Sequence, residues 1–363
     1  MQQTVQMNRT MLIDGPASVE LVSGKAEVFA RLLQEDQRVL IRDGKRMPFY
    51  ASENAEFNVM LGANAAITEV EGNSVPGSWS KPVQTALELQ KKPVIIVLGG
   101  VDSGKSSFIT YLLNRFVAHQ RKVAVLDGDL GQSDIGPVAS VGLGLATKPV
   151  SDIRNLKMRN GFFVGVTTPS LAAKKAVKGL AAMKAEAENC EADYILVNTD
   201  GYVAGDDAVS YKIEIIKELK PDIVVALQLQ NELEPILSCL GGGGVMIVEP
   251  SSAACVRSPE KRRTIRERNY AKHIKNGKLH CIPVSQVTLE PRNGVPKAIA
   301  TQKGILMGLY GAGNKFLGIG VLRAVNEARR TLKIQTSVGT KPMRLVFGKV
   351  LLNTKLQEVE AHT

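Results

Sequence analysis

The sequence predicts an α/β fold, a parallel sheet covered by helices with a small β-module at each end, and three observations carry that expectation. First, Val- and Ile-rich apolar runs alternate with helical patterns from Pro93 to about Pro250, which argues for strands buried on both faces by the intervening helices. Second, Gly99-Gly100-Val101-Asp102-Ser103-Gly104-Lys105-Ser106 directly follows the apolar stretch Pro93 to Leu98. It satisfies the phosphate-binding pattern G-x-x-x-x-G-K-[ST] at every fixed position, the mark of a P-loop NTPase core. Third, the flanking stretches, about Thr10 to Ile67 and about Leu279 onward, hold short β-type runs separated by turn signals.

In chain order, the N-terminal runs are Ala17 to Leu21, Ala26 to Ala30, Val39 to Ile41 and Phe57 to Leu61, with Asp14-Gly15-Pro16, Ser23-Gly24 and Asp43-Gly44 as turns. Gly72 to Trp79 reads as a loop, and Pro82 to Gln90 as an amphipathic helix leading into the first core strand. The core reads as strand 93–98, helix 105–119, strands 123–127 and 162–164, helix 170–188, strand 194–198, helix 210–219, and strands 222–227 and 245–248. Catalytic loops belong at the carboxyl ends of these strands. Gly241 to Gly244 reads as a tight loop. Strands Gly304 to Leu309, Phe316 to Leu322, Leu332 to Thr336 and Leu345 to Leu351 close the chain. The expected domains are 1–80, 81–275 with an arginine-rich lid, and 276–363.

The length of 363 residues fits two or three domains, and 44% hydrophobic with 22% charged residues is an ordinary soluble balance. No leader pattern and no membrane-length apolar run is read, so a cytosolic protein is expected. Cys190, Cys239, Cys255 and Cys281 form no C-x-x-C pair, which excludes a zinc or disulfide framework and favours buried reduced thiols. The net charge of +11 is lopsided: residues 1–80 carry 7 basic and 10 acidic groups, residues 81–252 carry 18 and 19, and the last 111 carry 21 and 6. Such a one-ended excess is the footprint of a polyanion-binding surface or a solvated basic face, and beside a phosphate loop nucleic acid is the better reading.

The loop is expected to bind ATP through Gly99, Gly100, Val101, Asp102, Ser103, Gly104, Lys105, Ser106 and Ser107. Lys105 would reach the β- and γ-phosphates, Ser106 would hold Mg²⁺, and loop amides would surround the phosphates at a helix N-terminus. Asp127-Gly128-Asp129-Leu130-Gly131-Gln132 ends the next strand. Its two carboxylates divide metal hydration (Asp127) from proton abstraction (Asp129), or simply form an acidic turn. Asn198-Thr199-Asp200-Gly201-Tyr202 ends another strand, with Asp200 either a water-mediated Mg²⁺ contact or a turn cap. In Gly165 to Ser170 the hydroxyls and amides either bind acceptor phosphate or cap the next helix, with Ser170 as N-cap. From Arg257 to Arg268, helical spacing puts Arg262 and Arg266 on one face with Arg263 adjacent, either a lid over the transferring phosphate or a solvated basic helix. No guanine-reading motif follows Ile223 to Leu227, no motor motifs are found, and His119, His273, His280 and His362 form no constellation.

Together these residues resemble the polynucleotide 5′-hydroxyl kinase family, which includes the kinase subunit of the pre-mRNA cleavage factor and the rRNA-processing kinase, in an archaeal-type form. The resemblance covers nearly the whole chain: Gly15 to Val19, Ser23 to Phe29, Val75 to Trp79, the phosphate loop, Asp127 to Gln132, Thr167-Thr168-Pro169, Asn198 to Tyr202, Arg257-Ser258-x-x-x-Arg262-x-x-x-Arg266 and Gly304 to Leu322. It implies Asp129 as general base, Lys105 and Ser106 on phosphate and Mg²⁺, and Arg262 and Arg266 as lid residues in catalysis. Thr167 and Thr168, together with Asp127, Gln132, Tyr202 and Arg263, would hold the acceptor. Eukaryotic members often place Trp where this chain has Tyr202, which leaves base stacking with less area. The expected activity is transfer of the ATP γ-phosphate to a 5′-hydroxyl of RNA or DNA. The rival readings are a non-catalytic ATP-binding scaffold of an RNA-processing complex and an ATPase or metal-chaperone relative.

Overall fold

The computed structural model describes residues 1–89, 91–241, 244–290 and 303–359. It divides into two units, Met1–Val125 with Leu145–Leu156 and Cys190–Ser258, and Leu126–Gly144 with Lys157–Asn189 and Pro259–Thr363. Gln90, Gly242, Gly243 and His362, and residues 291–302 and 360–363 of the expected C-terminal domain, on which parts of the sequence expectations fall, lie outside the described residues.

The first unit opens with nine strands: β1 (Gln2–Val5), β2 (Arg9–Asp14), β3 (Ala17–Ser23), β4 (Ala26–Val28), β5 (Arg31–Leu32), β6 (Arg38–Ile41), β7 (Arg46–Ala51), β8 (Ala55–Leu61) and β9 (Ala66–Glu71). They pair as two sheets, β1-β8-β3-β6 and β5-β4-β7-β2-β9. Alternation explains the faces: in β8, Ala55, Phe57 and Val59 are buried while Glu56 and Asn58 are exposed. Phe49 of β7 meets Phe57 edge-on, with centroids 5.9 Å apart. The four expected strands are present. The others were less legible because their apolar residues are broken by polar or Pro positions, as in Arg46–Ala51.

The stretch read as a loop before the core contains a 3-10 turn, Gly77–Trp79, and α1 (Ser80–Glu88) follows it. Trp79 is fully buried against Phe108 and Tyr111, and its Nε1 donates to the Glu249 carbonyl at 2.8 Å. The core of this unit is built from β10 (Val94–Gly99), α2 (Lys105–Ala118), β11 (Val123–Asp127), and, after the strands of the second unit described next, β14 (Tyr194–Asn198), α4 (Asp206–Leu219), β15 (Ile223–Leu227), α5 (Glu234–Leu237) and β16 (Val245–Val248). Strands β14 and β15 flank β10, both parallel to it, and β16 continues beyond β15. Every residue of β10, β14 and β15 is buried, as a strand covered on both faces requires. Since β10 has neighbours reached in opposite directions, its carboxyl end lies at a topological switch point, where open α/β sheets bind ligands.

The second unit contains β12 (Ser140–Ala146), β13 (Met158–Phe163), α3 (Ala173–Asn189), α6 (Pro259–Ile274), β17 (Lys278–Pro283), β18 (Thr288–Glu290), β19 (Ile305–Tyr310), β20 (Phe316–Asn326), β21 (Thr331–Thr336), β22 (Arg344–Leu352) and β23 (Glu358–Val359). The expected strand 162–164 is a correction in kind: it belongs to β13, which pairs antiparallel with β12. Strand β12 went unread because Gly142 and Gly144 interrupt its apolar alternation. Helix α3 starts at Ala173, so Ser170 is not its N-cap but part of a 3-10 turn, Pro169–Leu171.

The C-terminal sheet, β17-β21-β20-β19-β22-β18 with β23 on β22, carries a buried cluster on each face. On one face Leu306 and Tyr310 join Phe163 of β13 and Tyr270 and Ile274 of α6; on the other Ile305, Met307 and Leu309 join Ile334, Leu345 and Phe347. All four cysteines are free, but only Cys190 is buried; Cys239 and Cys281 are exposed and Cys255 is intermediate. Burial of the thiols therefore fails as a rule here, because Cys281 lies in the sheet's edge strand β17. Among the described residues, no helix is long and apolar enough to cross a membrane.

Candidate active site

The loop after β10 reverses direction through two left-handed residues, Asp102 (φ 59°) and Gly104 (φ 94°), and α2 starts at Lys105. Such a turn points successive amides to one side, at the positive end of a helix. Lys105 Nζ lies over the loop, donating to the carbonyls of Gly99 at 2.9 Å and Gly100 at 2.6 Å. Ser103 Oγ is buried with no hydrogen-bond partner among the described residues. An orphaned hydroxyl in a loop of this shape fits a ligand that brings its own oxygens.

Two side chains tie the loop to its surroundings. The Arg257 amide donates to Asp102 Oδ2 at 2.8 Å and its Nε to Oδ1 at 2.7 Å, and a second guanidinium nitrogen reaches Oδ1 as well. Asp102, expected to bind nucleotide, thus spends its carboxylate on Arg257 and contributes to the loop through its backbone. Lys45, from the turn before β7, reaches Ser107 Oγ at 3.5 Å. No sequence signal pointed to either contact, since the partners are far apart in the chain.

At the end of β14, Asn198 Nδ2 donates to Ser106 Oγ at 3.5 Å and Thr199 Oγ1 to the Val97 carbonyl at 2.7 Å. The residue beside Ser106 in this segment is therefore Asn198, which sequence reasoning passed over in favour of Asp200. Asp200 is buried and engaged on both oxygens: Lys212 Nζ lies 2.8 Å from Oδ1, the Tyr202 amide 2.9 Å from Oδ1, and Tyr211 Oη 3.0 Å from Oδ2. Tyr202 tilts against Tyr211, with ring centroids 6.4 Å apart. Gly201 lies against the phosphate loop, where a Cβ would meet the Val101 backbone at 2.7 Å.

The second unit carries the remaining expected residues. Asp127, fully buried, organises the loop that follows it: its Oδ2 accepts from the Asp134 amide at 2.6 Å, the Ile135 amide at 2.9 Å and Ser133 Oγ at 3.3 Å. Asp129 Oδ1 accepts from the amides of Gln132 at 2.8 Å and Gly131 at 3.1 Å, which fixes the orientation of the carboxylate. Gly131 packs on the Thr167 carbonyl, leaving 2.9 Å for any Cβ, so the Asp129 turn and the Thr167-Thr168 segment are in contact. Thr168 Oγ1 lies 3.0 Å from Ser170 Oγ, and the Lys349 amide holds the Gly165 carbonyl at 2.7 Å.

Helix α6 is the arginine-rich segment. Gln132 Nε2 donates to the Arg262 carbonyl at 3.1 Å, and Asn269 receives the Val138 amide at 3.0 Å, so α6 lies along the loop that Asp127 organises. Arg266 forms a two-pronged pair with Glu358, 2.7 Å on both contacts, and Arg263 reaches the Glu358 carbonyl. That hydrogen-bonded pair raises the pKa of Arg266. Burial, more than the adjacent Glu358 carboxylate, pushes the Tyr270 hydroxyl well above the usual range. Among the described residues no group of three or more His, Cys, Asp and Glu is placed to hold a metal ion.

Residues 99–276 match the family model described as mRNA cleavage and polyadenylation factor CLP1 P-loop. The chain is similar to a polyribonucleotide 5′-hydroxyl-kinase of Pyrococcus furiosus, 33% identical over 215 residues that cover 59% of this chain and 60% of the relative. It is also similar to one of Methanocaldococcus jannaschii, 34% identical over 218 residues and 59% of each chain. These matches span about 60% of the relatives' lengths. The solved structure of a wild-type Clp1p–Pcf11p complex aligns with a TM-score of 0.75 over 97% of both chains at 13% identity, which confirms the α/β fold with its flanking β-modules. On the phosphate loop and the motifs that follow it, residues 99–276 of this chain are similar to the CLP1 P-loop family.

Proposed function

We propose that this chain transfers the γ-phosphoryl group of ATP to the 5′-hydroxyl of a polynucleotide, RNA foremost. The observation that carries the reading is the pairing of two preset elements in one chain: a phosphate loop with Lys105 held at its mouth, and an Asp129 carboxylate oriented by two amides. A loop alone serves any triphosphatase; a fixed carboxylate is what an attacking hydroxyl needs to give up its proton. The names of the relatives support RNA as acceptor, and the 21 basic against 6 acidic residues of the last 111 suit a polyanion.

In this reading the loop amides, Lys105 and the Ser103 hydroxyl bind the β- and γ-phosphates. Asp129 accepts the 5′-hydroxyl proton, while Thr167, Thr168, Gln132 and Tyr202 border the acceptor. Ser106, with Asn198 beside it, would hold Mg²⁺, which would supply charge neutralisation to the phosphates. Asp127 and Asp200 act as organisers, the first of the Asp129 loop and the second of the loop under Val101. In this reading Arg262 would be the lid arginine that serves the phosphate.

The test is transfer of label from γ-labelled ATP to a 5′-hydroxyl oligonucleotide. The intact chain transfers label, and Asp129→Asn loses about 100-fold or more while still binding ATP, the scale of a general-base contribution. Absence of transfer by the intact chain, or a variant as active as the parent, rejects the reading. Matched RNA and DNA acceptors in the same assay rank the two substrates.

A further inference from the structure

Helix α6 starts in an unfavourable way. Lys261, Arg262, Arg263 and Arg266 crowd its first two turns, where the helix dipole disfavours positive charge and neighbours three and four apart repel. One residue far along the chain answers this. Glu358 of β23 accepts Arg266 Nε and a second guanidinium nitrogen at 2.7 Å each and Tyr270 Oη at 2.9 Å. Its carbonyl accepts from Arg263, and its amide donates to Glu267 Oε1 at 3.1 Å, which also holds Arg263 Nε at 3.2 Å. Residues 263, 266, 267 and 270 form one i, i+3, i+4, i+7 stripe, so a single residue grips one face of the helix over two turns. The adjacent face, through the Arg262 carbonyl and Asn269, lies on the loop that carries Asp129.

We infer that Glu358 is a positioning residue for the arginine lid: by holding Arg266 and Arg263 it sets α6 so that Arg262 serves the transferring phosphate, and Arg266 acts through Glu358 rather than on the phosphate. The inference rests on the kinase reading for its catalytic half. A two-pronged Arg–carboxylate pair fixes direction as well as distance, which a single contact does not. The pair is four-fifths buried on both sides, so solvent competes little for it. The buried Tyr270 ring and Ile274 anchor the lower half of the helix by core packing that does not need the charged pair, although the Tyr270 hydroxyl also donates to Glu358. Loss of Glu358 therefore loosens the upper half alone.

The experiment compares Glu358→Gln, which keeps size and a partner for Tyr270 but removes the charge, with Arg266→Ala and the double variant. Each single change lowers kcat for 5′ phosphorylation about 10-fold with KM for ATP nearly unchanged, and the double variant falls no further, because both remove the same strut. Hydrogen exchange supplies a readout independent of turnover. Amides of 261–268 exchange about 10-fold faster in Glu358→Gln while those of 269–274 keep their protection. Independent, multiplying losses in the double variant overturn the inference by giving Arg266 its own role at the phosphate, as does unchanged exchange in α6. If the parent chain transfers no label, the kinase reading fails, and the exchange comparison still decides whether Glu358 sets the helix.

Discussion

Lys212 is a cation with no exposed surface, and it is tolerable only because Asp200 meets it with both a carboxylate oxygen at 2.8 Å and a backbone carbonyl at 2.9 Å. Replacing it by Met leaves the buried Asp200 uncompensated, so Lys212→Met should cost about 3–5 kcal/mol, read as a lower urea midpoint at unchanged slope. The same pair explains why a strand-end aspartate was ambiguous in the sequence. Asp200 has the position of a metal contact, but its partner sits twelve residues on, in the second turn of α4, and the sequence does not say which way Lys212 turns. Lys105 and Ser106 stand out in the sequence because a local spacing marks them. The resemblance implies a lid role for Arg266, and only the fold shows its guanidinium committed to Glu358.

Among elements, the phosphate loop was the easiest to read and is held from more sides than its pattern implies. Gly201, at the end of the β14 loop, leaves 2.7 Å for a Cβ before the Val101 backbone. Gly201→Ala should therefore push the loop off its shape, weakening ATP binding about 10-fold and costing about 1–3 kcal/mol, the range of an overpacked contact. Titration calorimetry and denaturation measure the two effects separately. Strands β10, β14 and β15 were read correctly because short continuous apolar runs rich in Val, Ile and Leu between polar, Pro or Gly positions have few alternatives. Strand β12 was missed and β13 misassigned in direction, since glycines mask strand propensity and no local signal states whether a strand pairs parallel or antiparallel.

At the scale of the molecule, the C-terminal sheet carries a pH signature. Burial pushes the Tyr310 hydroxyl up to about 12; its oxygen accepts the Phe163 amide at 2.7 Å and Arg344 lies over its ring at 4.0 Å. The folded state therefore holds this proton more tightly than the unfolded chain. Its contribution is complete below pH 10 and is lost as the pH rises from about 10 to about 12, roughly 2–3 kcal/mol for a shift of two units. Denaturation from pH 9 to 12 should show that decline, and Tyr310→Phe should flatten it; an unchanged slope in the variant contradicts the assignment. The sequence by itself determined the α/β class, the flanking β-modules, the phosphate loop and the helical arginine segment, because each rests on a period, a glycine spacing or a composition carried within about twenty residues. Tertiary structure alone decided that β12 and β13 run antiparallel, that Asn198 rather than Asp200 adjoins Ser106, that Asp102 answers Arg257, and that Glu358 pairs with Arg266 of α6. The partners in those contacts are separated by up to 155 residues, and only the packing of sheets and helices brings such charges together.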